Sequence, residues 1–379
     1  MDRYKIAFVL DDSLDTPDGV QQYMLTVGQW FVKQGHEVHY LVGETLRTDV
    51  PNIHSLGRNV KVRFNHNRMS IPLPVSRRRI KRLLTEQEFD IIHVQMPFSP
   101  MLAGRIIKAA SPQTAVVGTF HIAPHSRVVY WGTLILRQIT RGAVMRLDEI
   151  ISVSKVAQDF AWKTYAIETS IVPNTLDLHA FYNAKPFNEY RQTKNIVFLG
   201  RLVERKGCGY LLRAIKRLHD ARALPDDCRV IICGGGPLEA ELKAYAAQHG
   251  LNKLVRFVGF VSEADKPRYL ACADLAVYPS TGGESFGIVL LEGMAASRGV
   301  VLAGNNPGYA SVIGERPVAL FDPTDEEQFA GKLQHFLEDP AARQKALLWQ
   351  QQFVRSFDVP SVADEISVVY EQALHKRRT

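Results

Sequence analysis

The chain reads as two successive series in which short β-branched or apolar runs alternate with longer stretches of helical period. That alternation leaves little choice of architecture. A helix after each strand carries the chain back to the same end of a sheet, so neighbouring strands run parallel with helices on both faces. In the first series the strands are expected at Lys5 to Leu10, Glu37 to Val42, Val60 to Phe64, Asp90 to Gln95, Ala115 to Phe120, Glu149 to Ser154 and Ser170 to Val172. The second series comprises Asn195 to Leu199, Arg229 to Cys233, Val255 to Gly259, Leu275 to Tyr278, Val300 to Leu302 and Val318 to Phe321. Between the two, Pro173 to Lys194 has no sustained period and carries Asn174, Asn183, Pro186 and Asn188. From Asp325 onward the pattern is helical, with Pro340 and Pro360 near helix starts, where a missing N–H is harmless. At 379 residues, about twice the usual single-core length, the chain is expected to form two doubly wound domains with a cleft between them.

Composition excludes several classes. With 46% hydrophobic and 22% charged residues, disordered, collagen-like and disulfide-scaffold chains are ruled out. Cys208, Cys228, Cys233 and Cys272 follow no paired CxxC spacing and read as small buried apolar residues. The apolar run in MDRYKIAFVLDD is too short for a signal peptide, and no stretch of about 20 apolar residues occurs, so a cytoplasmic, non-spanning protein is expected. The net charge of +7 is local: from Arg47 to Thr85 ten Lys/Arg face one acid, Asp49. That excess points to a localised anionic partner.

Ligands of doubly wound sheets bind beyond the carboxyl ends of the strands, so the loops there hold the candidate chemistry. Asp18-Gly19 opens a helix after the first strand, and a glycine there lets backbone N–H groups approach a phosphate, although plain turn chemistry also uses it. His121 ends an apolar strand in Thr119-Phe120-His121 and suits either a sugar hydroxyl or a satisfied core position. In Gly200-Arg201-Leu202-Val203-Glu204-Arg205-Lys206-Gly207, Arg201 and Lys206 can converge on one diphosphate or belong to a solvated loop. Cys233-Gly234-Gly235-Gly236-Pro237-Leu238-Glu239 lacks the third glycine of a dinucleotide fingerprint, which argues against a nicotinamide or flavin cofactor and for close backbone packing. In GGESFGIVLLEGMAA, Glu284 and Glu292 are separated by seven residues. A helix starting near Phe286 would aim the N–H groups of Ser285, Phe286 and Gly287 at an anion, and the flanking glycines and apolar run leave Glu292 little to bind inside the protein and so a ribose diol to hold, with capping or salt bridging of both acids as the alternative.

VPNTLDLHAF, GRLVERKG, CGGGPLEAEL and GGESFGIVLLEGMAA, in that order, resemble the retaining glycosyltransferases of family GT4 with the GT-B fold. DGVQQYML, FDIIHVQMPFSP and VVGTFH further resemble the bacterial phosphatidylinositol mannosyltransferases within it. The resemblance implies two Rossmann-like domains facing each other across a deep cleft, residues 1–173 on the acceptor and membrane side and 174–359 on the donor side. A C-terminal helix at 360–379 rejoins the first. It also implies transfer of a hexose, with mannose from GDP-mannose favoured, to a lipid such as phosphatidylinositol. In this reading Gly19 packs on the donor diphosphate, Arg201 and Lys206 neutralise it, and His121 faces the sugar. Glu284 holds sugar hydroxyls with the amides of Phe286 and Gly287 beside Ser285, Glu292 binds the ribose, and Glu263 and Lys266 lie near the base. No DxD element is present, so no cofactor is required and a divalent metal is at most accessory. Where the family commonly has two glycines this chain has Asp18-Gly19, which sets a carboxylate near the diphosphate.

The basic segment then has a use. In SRRRIKRLL, Ile80, Leu83 and Leu84 form one helical stripe beside Arg77, Arg78, Arg79, Lys81 and Arg82, as in a helix lying on an anionic bilayer, here the inner membrane face. A helix packed on its own domain is the alternative for the stripe. A soluble transferase using a UDP-sugar, glucose or N-acetylglucosamine, on a glycan or small molecule is the alternative for the whole. Nucleic acid is not expected as a partner, because the basic segment lacks interleaved aromatics.

Overall fold

Parallel pairing of the two series builds two separate sheets in the computed structural model, which describes residues 3–15, 18–64, 67–73, 75–121, 127–314 and 316–378. The chain divides into two units, Met1–Thr175 with Val359–Thr379, and Leu176–Asp358.

The N-terminal unit contains β1 (Lys5–Leu10), α1 (Gly19–Lys33), β2 (Glu37–Val42), β3 (Ile53–Ser55), β4 (Asn59–Phe64), β5 (Asn67–Pro72), α2 (Arg77–Gln87) and β6 (Ile91–Gln95). It continues through α3 (Leu102–Ala109), β7 (Ala115–Phe120), α4 (Arg127–Val144), β8 (Glu149–Ser152), α5 (Lys155–Tyr165) and β9 (Ser170–Ile171). Its main sheet has the order β3-β2-β1-β6-β7-β8-β9. Strands β1, β6 and β7 are buried along nearly their whole length, as central parallel strands must be when helices cover both faces. The order turns back between β1 and β6, and there the loops after the two strands diverge and open a crevice.

The strand expected at Val60 to Phe64 is not part of this sheet. It is the end of β4, which pairs antiparallel with β5 from Asn59↔Pro72 to Phe64↔Asn67 as a separate ribbon. The alternation of apolar and charged residues in Val60, Lys61, Val62, Arg63 suits an antiparallel ribbon and not the doubly covered centre of a parallel sheet. Strands β3 and β5 have no counterpart among the expected runs.

The C-terminal unit contains α6 (Leu178–Tyr182), β10 (Lys194–Leu199), α7 (Cys208–Asp220), β11 (Cys228–Cys233), α8 (Glu239–Gln248), β12 (Val255–Gly259), α9 (Lys266–Ala271) and β13 (Leu275–Tyr278). There follow α10 (Ile288–Ala296), β14 (Val300–Gly304), α11 (Pro307–Ile313), β15 (Leu320–Phe321), α12 (Glu326–Glu338) and α13 (Pro340–Phe353). The sheet order is β12-β11-β10-β13-β14-β15, all parallel, with the turn-back between β10 and β13. The final helix, α14 (Val359–Arg378), packs into the core of the N-terminal unit through Val362, Ile366, Val369, Tyr370 and Ala373. Both units are doubly wound α/β domains, the GT-B class of architecture. The four cysteines are buried free thiols.

Several expected strand ends shift by one or two residues, and two boundaries shift at identifiable turns. The helix expected from Phe286 begins at Ile288, because Gly287 has φ +91 and its left-handed turn cannot continue a right-handed helix. The strand expected from Val318 is only Leu320–Phe321, preceded by a 3-10 turn at Pro317–Ala319.

Glycines let backbone approach backbone at the mouth of the second sheet. A Cβ on Gly234, at φ +137, would lie 1.9 Å from the carbonyl oxygen of Gly200. One on Gly236 would lie 2.4 Å from that of Leu202. The CGGG stretch is thus the bed on which the Gly200 to Gly207 loop lies. Gly234→Ala is expected to cost at least about 2 kcal/mol in urea unfolding. Gly250→Ala, at φ +69 with nothing within 4 Å of the new carbon, is expected to cost about 1 kcal/mol.

Candidate active site

At the crevice between β10 and β13, the loops after these strands are tied to each other. The Arg205 carbonyl accepts from the Thr281 amide at 2.9 Å. Gly207, at φ +75, lies so close to the Pro279 carbonyl that a Cβ there would be 1.9 Å away. This brings Glu284 under two cations: its Oε1 lies 2.7 Å from Arg205 Nη1 and 2.8 Å from Lys206 Nζ. Ser280 Oγ donates to the same oxygen at 3.0 Å. Burial alone would push this carboxyl up, but the Lys206 and Arg205 charges outweigh it and hold the group below the ordinary carboxylate range. Arg201 opens the same loop with an exposed side chain, so Lys206 and Arg205 are the cations that reach the acid. Ser285 is half-buried, and the Phe286 ring is buried edge-on against Phe357, so Phe286 has only backbone to offer a ligand.

Glu292 projects from the second turn of α10 and is buried, yet it is not unpartnered. Lys266 Nζ lies 2.7 Å from Glu292 Oε1 and 2.7 Å from Glu263 Oε2. The expectation that Glu292 has little to bind inside the protein is therefore corrected: the first residue of α9 supplies a buried cation. Burial alone would lower the Lys266 pKa, and the two carboxylates instead hold it above the usual value. The Glu263 carboxylate stays half exposed, so the cluster reaches the surface at that end.

In the N-terminal unit, Gly19 is the first residue of α1, with exposed Asp18 as its N-cap making no side-chain capping bond. One turn further, Tyr23 sets its ring edge-on to His121 with centroids 5.4 Å apart. His121 directly follows β7 and is buried, with Nε2 2.8 Å from Gln95 Oε1. Because an amide oxygen only accepts, Nε2 carries the proton and Nδ1 holds the lone pair. Below it His93 bridges Tyr370 Oη and Thr119 Oγ1, at 2.8 and 2.6 Å. Burial holds both imidazoles neutral, with pKa values lowered to about 3.

The basic helix departs from expectation in one respect. Ile80 is buried and Leu83 and Leu84 pack against the same core, made by Val75, Phe89, Ile92, Leu102 and Ile106 among others. The apolar stripe of α2 is thus spent on its own unit and has no free face for a bilayer. Arg77, Arg78, Lys81 and Arg82 remain exposed, Arg82 beside Glu86 at 2.7 Å, while Arg79 donates to the Ser55 and Leu56 carbonyls. The side chains of Lys61, Arg63 and Arg68 lie outside the described residues. Among the described residues no helix is long and apolar enough to cross a membrane, and no group of three His, Cys, Asp or Glu is placed to hold a metal ion.

Arg205, Gln95, Tyr23 and Ser280 were not among the expected site residues. Arg205 stands in the GRLVERKG loop beside Lys206, and a half-buried Glu284 needing more than one cation is the signal that points to it.

Comparison with known proteins agrees with this layout. Residues 17–180 match the family described as Glycosyltransferase Family 4, and residues 183–347 that described as Glycosyl transferases group 1. The chain is 31% identical over 372 residues to a phosphatidyl-myo-inositol mannosyltransferase of Mycolicibacterium smegmatis, covering 97% of this chain and 93% of that protein. It is 26% identical over 325 residues to the O-antigen chain mannosyltransferase C of Escherichia coli, covering 83% of each. A crystal structure of a glycosyltransferase from Rickettsia africae superposes with a TM-score of 0.75 at 17% identity, covering 99% of both chains.

Two outcomes test the geometry. Lys266→Met leaves Glu292 buried beside no cation and is expected to cost about 3–5 kcal/mol in urea unfolding, with Lys266→Met/Glu292→Leu recovering most of it. His93 and His121 gain protons near pH 6.5 when unfolded but only near pH 3 when folded. Their contribution to stability is therefore full above pH 6.5 and falls as the pH drops from there toward 3, by about 1.4 kcal/mol per pH unit for each. Urea midpoints measured across that range in wild type and His93→Gln should differ in slope by one such step.

Proposed function

The chain belongs to the family 4 glycosyltransferases and is a hexosyltransferase, and from that premise we propose that it transfers mannose from GDP-mannose to a glycolipid acceptor with retention of configuration. The observation that carries this reading is the 31% identity, over 97% of the chain, to a protein named for mannosyl transfer to phosphatidyl-myo-inositol. The second relative, named for O-antigen chain mannosyltransfer, shares the sugar but not the acceptor, so mannose is the better supported half.

The roles follow from charge. A departing nucleoside diphosphate gathers negative charge, and fixed cations that need no reorganisation lower that barrier most. Lys206, oriented by Glu284, and Arg201 on the same loop supply that charge, and Arg205 steadies the carboxylate. Since the three donors on Glu284 converge on Oε1, the second oxygen is the one that meets sugar hydroxyls, beside the amides of Ser285, Phe286 and Gly287. Glu292 accepts from the ribose diol by sharing its proton donors with Lys266, and Glu263 and Lys266 lie toward the base. In the N-terminal unit Gly19 presents the amide end of α1 to the diphosphate. Neutral His121, its Nε2–H fixed on Gln95, presents Nδ1 as a hydrogen-bond acceptor toward the sugar. The acceptor hydroxyl attacks on the face the diphosphate leaves, and the departing oxygens take its proton.

The acceptor is placed at the cytoplasmic face of a membrane, against which the exposed Arg77, Arg78, Lys81 and Arg82 contribute about 1 kcal/mol each. Arg79, bonded to its own unit, contributes less. Nucleotide-sugar and lipid are the two substrates in this scheme, and a divalent metal is not among its required parts.

Melting curves with GDP, UDP, ADP, GDP-mannose, UDP-glucose and UDP-N-acetylglucosamine are expected to shift upward with the guanosine compounds alone. Lys206→Ala is expected to lower kcat/KM for mannosyl transfer by about 10²–10³-fold. A shift confined to uridine compounds would overturn the mannose donor and move the function to a glucosyl- or N-acetylglucosaminyltransferase.

A further inference from the structure

Helices α2, α3 and α4 line a cavity of about 490 Å3 in the N-terminal unit, away from the groups assigned to the donor. Its wall carries Arg77 and Lys81 from α2 and Arg105 and Lys108 from α3, and no acidic side chain. Among the described residues, Arg77, Lys81 and Lys108 make no ion pair, and Arg105 is braced by donating to the Val75 carbonyl. Four cations gathered around one void repel each other, and an anion in the void removes that cost. The third wall differs in character. Ile139 of α4 lines the cavity yet is 57% exposed, and Ile135, one turn earlier on the same face, is 67% exposed. A cationic groove with ample room for a phosphate headgroup thus opens beside an aliphatic ridge in solvent, on the unit whose α2 stripe has none left to offer.

We propose that this cavity holds the phosphate of one anionic phospholipid of a bilayer, with Ile135 and Ile139 entering the lipid interface beside it. The inference deepens the membrane side of the proposed function and does not depend on which nucleotide the other unit binds. It differs from attraction of a charged surface to a basic helix, because Arg105 and Lys108 stand on another helix and one lipid fills the site. An aliphatic ridge beside the socket favours a lipid over a soluble phosphate ester, which would leave Ile135 and Ile139 in water.

The test uses the full chain without nucleotide. Vesicles of phosphatidylcholine with phosphatidylglycerol are expected to bind the wild type, and dihexanoyl-phosphatidylglycerol below its micelle concentration is expected to saturate at one per chain by calorimetry. Lys108→Glu and Ile139→Asp, both at exposed side chains, are each expected to weaken vesicle binding by about tenfold, while leaving the melting temperature and its shift by nucleoside diphosphate unchanged. Wild-type vesicle binding by both variants would overturn the socket. So would displacement of the short-chain lipid by an equal concentration of inorganic phosphate, which would make the cavity a free-anion site. Loss of the nucleotide response in wild type would speak against the proposed function and leave the socket standing.

Discussion

A single carboxylate oxygen, Glu284 Oε1, takes Arg205, Lys206 and Ser280 at 2.7, 2.8 and 3.0 Å, and the mouth of the C-terminal unit is organised around it. An isolated carboxylate so little exposed would be protonated, and two cations so close together would repel. Acid and bases therefore hold position only as a set. The set joins the loops after β10 and β13, which diverge where the sheet order turns back. The bond from the Thr281 amide to the Arg205 carbonyl and the close contact of Gly207 with Pro279 hold the backbones at the distance the ion pairs need. Gly308 adds a third constraint, since a Cβ there would lie 2.1 Å from the Glu284 carbonyl oxygen. A site whose charges are fixed before a ligand arrives spends little energy on reorganisation when charge develops.

The corresponding place in the N-terminal unit is built on the opposite principle. Asp11, after β1, is half-buried, and removal from water pushes its carboxyl up even though Ser99 Oγ and the Ala103 amide donate to it. It caps the start of α3 and joins the loops after β1 and β6, the same topological task that Glu284 performs in the other unit. Around it His93 and His121 are neutral, and the bonds among Gln95, Thr119 and Tyr370 join groups that carry no charge. One unit thus offers fixed charge at its turn-back point and the other offers neutral donors and acceptors.

Much of the framework was legible because parallel strands buried on both faces announce themselves as apolar runs: β1, β7 and β13 lie where the sequence places them, and β2 and the edge strand β12, though interrupted by polar residues, do so too. Illegible were features that depend on a partner distant in the chain. Strand β3 is three residues long and exists through its pairing with β2. The stripe on α2 has the same pattern whether it faces lipid or protein, and only the positions of Phe89 and Ile106 show that protein covers it. In the site, Glu284, Glu292 and Lys206 stood out as charges beside glycines or in apolar surroundings, whereas Lys266 was marked only by the family resemblance. The Lys266–Glu292 pair did not, because 26 residues and the strand β13 separate its members. Arg205 was hidden by its neighbour, since two adjacent cations in a loop look like solvated charge until a common acid is found.

The last helix has a consequence for how the chain can fold. Helix α14 places Val362, Ile366, Tyr370 and Ala373 in the core formed by β1, α1 and β2, although the whole C-terminal unit intervenes in sequence. Tyr370 also supplies the hydroxyl that satisfies His93 Nδ1, and the Phe31 ring stacks on it at 5.3 Å. Without α14, His93 would be a buried imidazole with one nitrogen unmatched, and the first sheet would expose an apolar face. The C-terminal unit, Leu176–Asp358, is continuous and can close its core from local crossovers, whereas the N-terminal unit must wait for residues almost 350 positions beyond β1. Loop closure over such a span costs little more free energy than over a shorter one, because the penalty grows only with the logarithm of length. It does fix the order of events during synthesis: the second unit is complete before the first, and β7, the strand that precedes His121, gains its full support last.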